Sequence, residues 1–427
     1  MQTDCFADAI AEWPKGPISS LAVVSPRYPM KKGQEYPFVE MASVGEDFAG
    51  ILQFATRALE GSGLSRFKVG DTLFAKITPC PQNGKVAFVE SIPGQLGLGS
   101  TEFIVLSPRR DTVPRFLYHL ACTHDVRGRA AARMEGSTGR QRVPDEVFTK
   151  RLLVPLPDPD EQAAIALILD AVDTALERTR AAVERARELR MSLIHEVLSR
   201  GTARKGQRKS AAGLIPTSWT CDTLGKHLSD GPTNGVYRPE SDYAPHGTRI
   251  IRIDDFEDGR IKSIEDLRRV VVEPVIQARY AVAEDDVVIN RVNSLSHIGK
   301  AALVPSLREP TIFESNMMRV RCDPGLRPAF LNLVLCSDIA RRHWLARAKP
   351  AVNQASVNQR DARELPLPLP PTNDEQDEIV SVVSAAQRQI DLLTDVGAVQ
   401  QQLKKSLMHD LLTGRVRVRD TSKVVAS

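Results

Sequence analysis

Two stretches of this chain carry apolar residues at the spacing of a long helix, and the two stretches before them carry the shorter texture of strands and turns. Ile165, Leu169, Val172, Leu176, Thr179, Val183, Ala186, Leu193 and Val197 recur near every third and fourth position, as in the seam of a coiled coil. Ile379, Val383, Ala386, Ile390, Leu393, Leu407 and Leu411 draw the same seam later. At about 1.5 Å per residue, a helix from Asp160 to Ser199 spans roughly 60 Å. A stripe that long needs a partner, and the pattern predicts that the two helices pair.

Both helices have a marked start. Asp158 and Thr372 each stand three residues before a glutamate, Glu161 and Glu375, which predicts a capping box, and Pro159 fits a first helical position. Proline-rich lead-ins, Val154-Pro155-Leu156-Pro157 and Leu367-Pro368-Leu369-Pro370-Pro371, keep the preceding segments out of the helix. Gly397 and Gln400 interrupt the second seam; since a mid-helix glycine costs about 1 kcal/mol relative to alanine, a bend or break is expected near Asp395 to Gln400.

The chain is duplicated. Asp160-Glu161-Gln162 returns as Asp374-Glu375-Gln376 (375 − 161 = 214), and Ser192-Leu193-Ile194-His195 returns as Ser406-Leu407-Met408-His409. Asp71 to Ile77 matches Asp286 to Val292, Gly84-Lys85 matches Gly299-Lys300, and Ser100 matches Ser315. A repeat of this size is one architectural unit used twice. Short β-leaning runs such as Phe103 to Leu106 and Val270 to Val272 sit between turn signals at Pro93-Gly94 and Asp258-Gly259, so each unit reads as mixed α/β.

The expected fold class is α+β: two mixed α/β domains joined by two long antiparallel coiled-coil helices, with a pseudo-twofold internal repeat. The predicted boundaries are a first domain at 1–157, a helical spacer at 158–200, a basic linker at 201–213, a second domain at 214–370, a second spacer at 371–415 and a disordered tail at 416–427. Antiparallel pairing follows if the second domain's termini lie close together, for its two ends are the end of one helix and the start of the other.

Composition narrows the function less than the repeat does. A net charge of +4 over 427 residues permits a nucleic-acid partner without demanding one. Six scattered cysteines form no Cys-x-x-Cys pair, which argues against a zinc site or disulfide framework. No secretory leader or apolar run near the ~20 residues of a membrane span is present, so a cytoplasmic protein without membrane attachment is expected. The chain has no phosphate-binding loop, no amino-methyltransferase motif and no nuclease carboxylate-lysine step. His119 and His124 share a helical stretch but lack a third ligand, so no metal site is expected.

The layout resembles the specificity (S) subunit of type I restriction-modification systems. The Pro-Leu-Pro lead-ins, the Asp-Glu-Gln starts, the ending Leu411-Leu412-Thr413-Gly414, and Asp230-Gly231-Pro232-Thr233 followed by Gly247-Thr248-Arg249-Ile250-Ile251-Arg252 carry the resemblance over nearly the whole chain. It implies two target-recognition domains and a non-catalytic subunit that reads a bipartite sequence in double-stranded DNA. It also implies two methyltransferase (M) subunits that methylate adenine with S-adenosylmethionine, and two restriction (R) subunits that can join. No cofactor is then expected in this chain; S-adenosylmethionine, ATP and Mg belong to the partner subunits. A free-standing DNA-binding regulator and a coiled-coil adaptor without DNA binding are the alternatives.

Phosphates are neutralised by Lys or Arg, while major-groove base edges are read by Arg on guanine and Asn or Gln on adenine. Candidates in the first domain are Arg127, Arg129, Arg133, Arg140, Gln141 and Arg142. In the second they are Arg341, Arg342, Arg347, Lys349, Asn353, Gln354 and Asn358. Lys76 and Lys85, matched by Arg291 and Lys300, form another strip. For each, a solvated loop or an edge-strand charge that blocks sheet pairing is the alternative. Ile165, Leu169, Val172, Leu176, Ile379, Val383, Ala386 and Ile390 are assigned to helix packing; Arg178, Arg185 and Glu188 are expected to face outward, either as a docking surface for M subunits or simply as solvated charges.

Overall fold

The computed structural model describes residues 13–61, 63–137, 140–202, 206–351 and 354–418. The chain divides into two compact units, Met1–Ala181 with Thr394–Ser427, and Ala182–Leu393. The division falls part-way along both long helices, which run Pro159–Arg200 and Asn373–Leu412.

In the first unit, one antiparallel sheet takes the order Ala22–Val24, Phe103–Pro108, Thr72–Ala75, Val86–Phe88. A second takes the order Ala55–Ala58, Glu35–Val39, Leu96–Gly99, Ser65–Lys68, its middle pair parallel. The helix Pro114–Cys122 buries Phe116, Leu117 and Leu120 beside the strand residues Phe74, Ile104 and Leu106. The same core takes in Ile165 and Leu169 from the opening of the first long helix and Leu411 and Leu412 from the end of the second. Further along, Lys404 pairs with Asp173, and Gly397 faces Thr179. Positions rise on one helix as they fall on the other, so within this unit the two segments run antiparallel.

The second unit repeats both sheets. Leu228–Asn234, Met317–Cys322, Val287–Asn290 and Ala301–Leu303 follow the first order, extended by Gly259–Ile261 and Phe256–Glu257. Arg269–Val270, Tyr243–Ile251, Thr311–Phe313 and Ala281–Val282 follow the second, again with a parallel middle pair. Ile194, Val197 and Leu198 share a core with Ile379 and Val383, while Thr202 bonds Glu378 at 2.9 Å. Here too the helical segments are antiparallel. Of the expected seam residues, Ile165, Leu169, Leu176, Ile379, Val383 and Ile390 are buried, and Val172 and Ala386 are half-buried.

The repeated motifs have physical reasons. Asp71 and Asp286 each accept a backbone N–H three residues earlier, from Lys68 at 3.0 Å and Ala283 at 2.9 Å, closing the turn into the central strand. Gly299 has φ +73°, and a Cβ there would stand 2.0 Å from the Trp344 ring. Gly84, with φ +71°, would crowd the Asp47 backbone at 3.3 Å. Only glycine suits such positions.

Four expectations are revised. The caps form, with Asp158 Oδ1 accepting from Glu161 N at 2.9 Å and Thr372 Oγ1 from Glu375 N at 3.2 Å. The glutamates, however, turn to the indole N–H of Trp13 and Trp219, both at 3.0 Å, because a buried indole donor requires an acceptor. The second helix is hydrogen-bonded without a break through Gly397, since one glycine's cost is small beside the packing of forty residues. The stretch 201–213 is not wholly a solvated linker: Gln207–Ser210 pairs with Gly213–Pro216, and Ala212 is buried. The expected disordered tail at 416–427 is ordered at its start, where Arg417 bonds the buried Glu161 at 2.6 and 2.7 Å and Val418 packs on the first core. Arg204, Lys205 and 419–427 lie outside the described residues. Among the described residues no helix is long and apolar enough to cross a membrane.

Candidate nucleic-acid interface

Each unit carries a hairpin whose return arm lies along the segment leaving the central strand. In the first unit Glu135 and Arg142 exchange both backbone hydrogen bonds at 2.9 Å. Val143 N then donates to Lys76 O at 2.9 Å, and Thr78 N donates to Gln141 O at 3.0 Å. The two strips that appear separate in the sequence, Lys76 and the Arg140-Gln141-Arg142 run, are therefore one surface.

The second unit builds the same ladder. Lys349–Ala351 pairs with Gln354–Ser356, Val292–Asn293 pairs with that return arm, and Val357 N donates to Arg291 O at 2.9 Å. Asn316 O accepts from Arg291 N and Val292 N, so the segment before the strand Met317–Cys322 joins the ladder. The register shift between copies is again 214 at the hairpin (356 − 142 = 214). Asn353 lies outside the described residues.

Side chains on this common frame differ. Arg142, exposed, places Nε and Nη2 on Glu102 at 2.7–3.0 Å, where the second copy has Ser356 and Asn316. Arg140, Lys349, Gln354 and Arg341 are exposed, and Gln141 is half-buried. Beside the second hairpin, Ser294 and Ser296 hydroxyls both stand 2.9 Å from His297 Nδ1 on an exposed loop, a polar group that the sequence reading passed over. Its only signal was its place just after the repeated strand.

Other candidates are drawn into the fold. Arg127 donates to the carbonyls of Cys122, Pro81 and Gln82 at 2.9–3.1 Å and stacks on Phe48, and burial lowers its pKa from the usual guanidinium value. Arg129 bonds Asp125 and Leu153 O, and Arg133 bonds Arg129 O. Lys85 reaches Met41 O at 3.4 Å, Arg291 reaches Ser315 O at 3.2 Å, and Lys300 lies over Phe256. Arg347 pairs with Glu364 at 3.8 Å, and Arg342 reaches Ala212 O at 3.4 Å. Asn358 caps the helix Gln359–Arg363, accepting from Arg360 N and Asp361 N.

His119 is fully buried with Nε2 2.6 Å from Asp170 Oδ1, whereas His124 is exposed. Burial lowers the His119 pKa, with Asp170 pulling the other way. His119, Asp170 and Asp173 bring possible ligand atoms within 4.8 Å of one another. Arg115 on Asp170 and Lys404 on Asp173 already balance the two carboxylates, and the His–Asp contact is shorter than the gap between two ligands of one tetrahedral ion. The group works as an ion-pair network.

No family model matches the chain. The putative type I restriction enzyme MjaX specificity subunit of Methanocaldococcus jannaschii is 27% identical over 212 residues, 48% of this chain and 48% of that protein. The type I restriction enzyme EcoAI specificity subunit of Escherichia coli is 28% identical over 160 residues, 36% and 27% of the two chains. The StySPI specificity subunit of Salmonella potsdam is 23% identical over 328 residues, 74% and 69%. The relatives are type I specificity subunits. The chain spans about half the length of the first of them and about a quarter of the second.

Solved type I structures share the fold. A chain from a study of complex assembly and conformational transition of the type I R-M system aligns over 96% of this chain and all of that one, with a TM-score of 0.57 and 17% identity. The type I restriction-modification S subunit from M. genitalium aligns over 94% and 96%, with a TM-score of 0.51 and 17% identity. Mixed α/β content with helices is thus common to this chain and the type I specificity subunits.

Proposed function

We propose that this chain is the non-catalytic, DNA-sequence-recognition subunit of a type I restriction-modification assembly. It binds an asymmetric, two-part target in double-stranded DNA, one part per unit. It positions two adenine methyltransferase subunits, which bring S-adenosylmethionine; two restriction subunits, with ATP and Mg, join where the system also cuts DNA.

The observation that carries this reading is the ladder of Lys76–Thr78 with Gln141–Val143, rebuilt at Arg291–Asn293 with Ala355–Val357 while its side chains change. A frame retained with altered surface chemistry suits two readers of different sequences. Arg140, Lys349 and Arg341 would neutralise phosphates, giving salt-dependent affinity, while Gln141, Arg142 and Gln354 choose bases. The two long helices act as a coiled-coil spacer that sets the gap between half-sites on a duplex that turns once per roughly 34 Å.

Methylome sequencing of the host with the gene present and deleted tests the proposal. Loss of adenine methylation at an asymmetric bipartite motif is expected on deletion. An unchanged methylome, or a palindromic motif read by one intact chain, would refute it. Tight site-specific binding with no co-purifying methyltransferase would favour the free-standing regulator.

A further inference from the structure

One arginine on the first ladder is held unlike the others. Arg142 lies on the exposed return arm, yet its main chain is fixed on both sides by bridges to Ile77 and Glu135. Its Nε donates to both Glu102 oxygens at 2.8 and 3.0 Å, its Nη2 to Oε1 at 2.7 Å, and its Nη1 to Arg140 O at 3.2 Å. Glu102 is rigid too, with its amide on Ser100 Oγ at 3.3 Å and its carbonyl on Lys76 N at 2.8 Å.

A guanidinium has five N–H donors in a planar fork. The carboxylate takes the Nε–H and the parallel Nη2–H, and the Arg140 carbonyl takes one Nη1–H. One Nη1–H and one Nη2–H remain, side by side at the tip of the fork, on a side chain that is 45% exposed. An ion pair this open contributes little to stability; its effect is to fix the plane and direction of the remaining two donors.

Resting on the proposed DNA-recognition function, we propose that Arg142 reads a guanine in the half-site bound by the first unit, with Glu102 as its positioning residue. Two parallel donors match the O6 and N7 acceptors of guanine in the major groove. Phosphate offers paired acceptors as well, but it is attracted by charge, and Glu102 cancels the charge of Arg142. A neutral, oriented fork suits a dipolar base edge better than an anion. The second copy has Ser356 and Asn316 at the matching positions, so its half-site lacks this reader.

The test is selection of bound duplexes from a randomised DNA library by the full-length chain, together with any methyltransferase that co-purifies. The wild type should yield a two-part consensus. Arg142→Gln should abolish the preference for one guanine in one part, by about 10- to 100-fold in relative affinity, and leave the other part intact. Glu102→Gln should weaken the same position alone, and should have no further effect once Arg142 is changed. If Arg142→Gln loses both parts of the consensus, Arg142→Lys decides, since it keeps the ion pair but lacks the fork; it should lose the preference at that guanine only. A consensus unchanged in Arg142→Gln or in that Lys variant, with affinity lowered evenly for all sequences, would mean a phosphate contact and overturn the assignment while sparing the DNA-recognition reading. A wild type that selects no consensus would overturn that reading itself.

Discussion

Replacing Glu161 by alanine should loosen the start of the first long helix more than the equivalent change at Glu375 loosens the second. Glu161 is nearly buried and accepts from Trp13 Nε1 at 3.0 Å and from Arg417 Nε and Nη2 at 2.6 and 2.7 Å. Alanine leaves the indole N–H of a buried Trp13 without that acceptor, a cost of about 1–3 kcal/mol. The lost ion pair adds only about 1 kcal/mol, because the Arg417 side chain remains 23% exposed and in reach of water. Roughly 2–4 kcal/mol is therefore expected for Glu161→Ala. Glu375 holds Trp219 Nε1 at 3.0 Å, and the arginine contact has no counterpart among its described bonds, so about 1–2 kcal/mol is expected there. A single melting temperature is a poor measure for a chain of two units. Hydrogen exchange of peptides from the two helix starts, 159–170 and 373–385, reads each opening free energy separately. No loss of protection in Glu161→Ala would refute the indole-clamp explanation of the repeated Asp-Glu-Gln, and equal loss in the two variants would refute the added contribution of Arg417.

Leu169 is fully buried where the two helical segments meet, so Leu169→Ala should destabilise the first unit by about 2–5 kcal/mol, seen in denaturant unfolding followed through Trp13. Burial lowers the His119 pKa, and Asp170 is also lowered, burial opposing and the His119 and Arg115 hydrogen bonds prevailing. Both groups therefore take up protons more readily when unfolded: stability is full above the ordinary histidine value of about 6.5 and falls as pH drops below it. Denaturant unfolding of the first unit followed through Trp13 from pH 8 to 5 should show this, and His119→Gln should remove the upper part of the slope; an identical slope in that variant would count against it. Reversing charge at Arg140 and Lys349 should weaken duplex binding and flatten its salt dependence by about one unit per lost phosphate contact, measured by titration at several salt concentrations. Four residues inserted after Ala182, with a matching insertion in the partner helix, add roughly 6 Å and should lengthen the non-specific gap by about two base pairs; unchanged methylation spacing would defeat the spacer idea.

Much of the fold was legible because its signals are local. The helix seams, the Asp158 and Thr372 caps and the 214-residue repeat each need only neighbours a few positions apart, or one copy set beside the other. The candidate interface was half legible. Arg127 to Arg142 looked like one basic cluster, yet Arg127 is bound to carbonyls 45 and 46 residues earlier, while Arg142 meets Glu102 across 40. Nothing near Arg127 in the chain marks Pro81 or Gln82 as its acceptors.

By itself the sequence determined that one unit occurs twice, that each copy ends in a long amphipathic helix, and that Asp71, Gly84, Glu161 and their counterparts recur, since periodicity and repetition survive in a linear string. The tertiary structure alone decided why those residues recur, which arginines are tied to carbonyls and which stay exposed, and that the hairpin return arm lies beside Lys76 or Arg291. Those outcomes depend on donors and acceptors separated by tens to more than two hundred residues, such as Arg417 and Glu161. Such partners meet only when burial forces each polar group to find one.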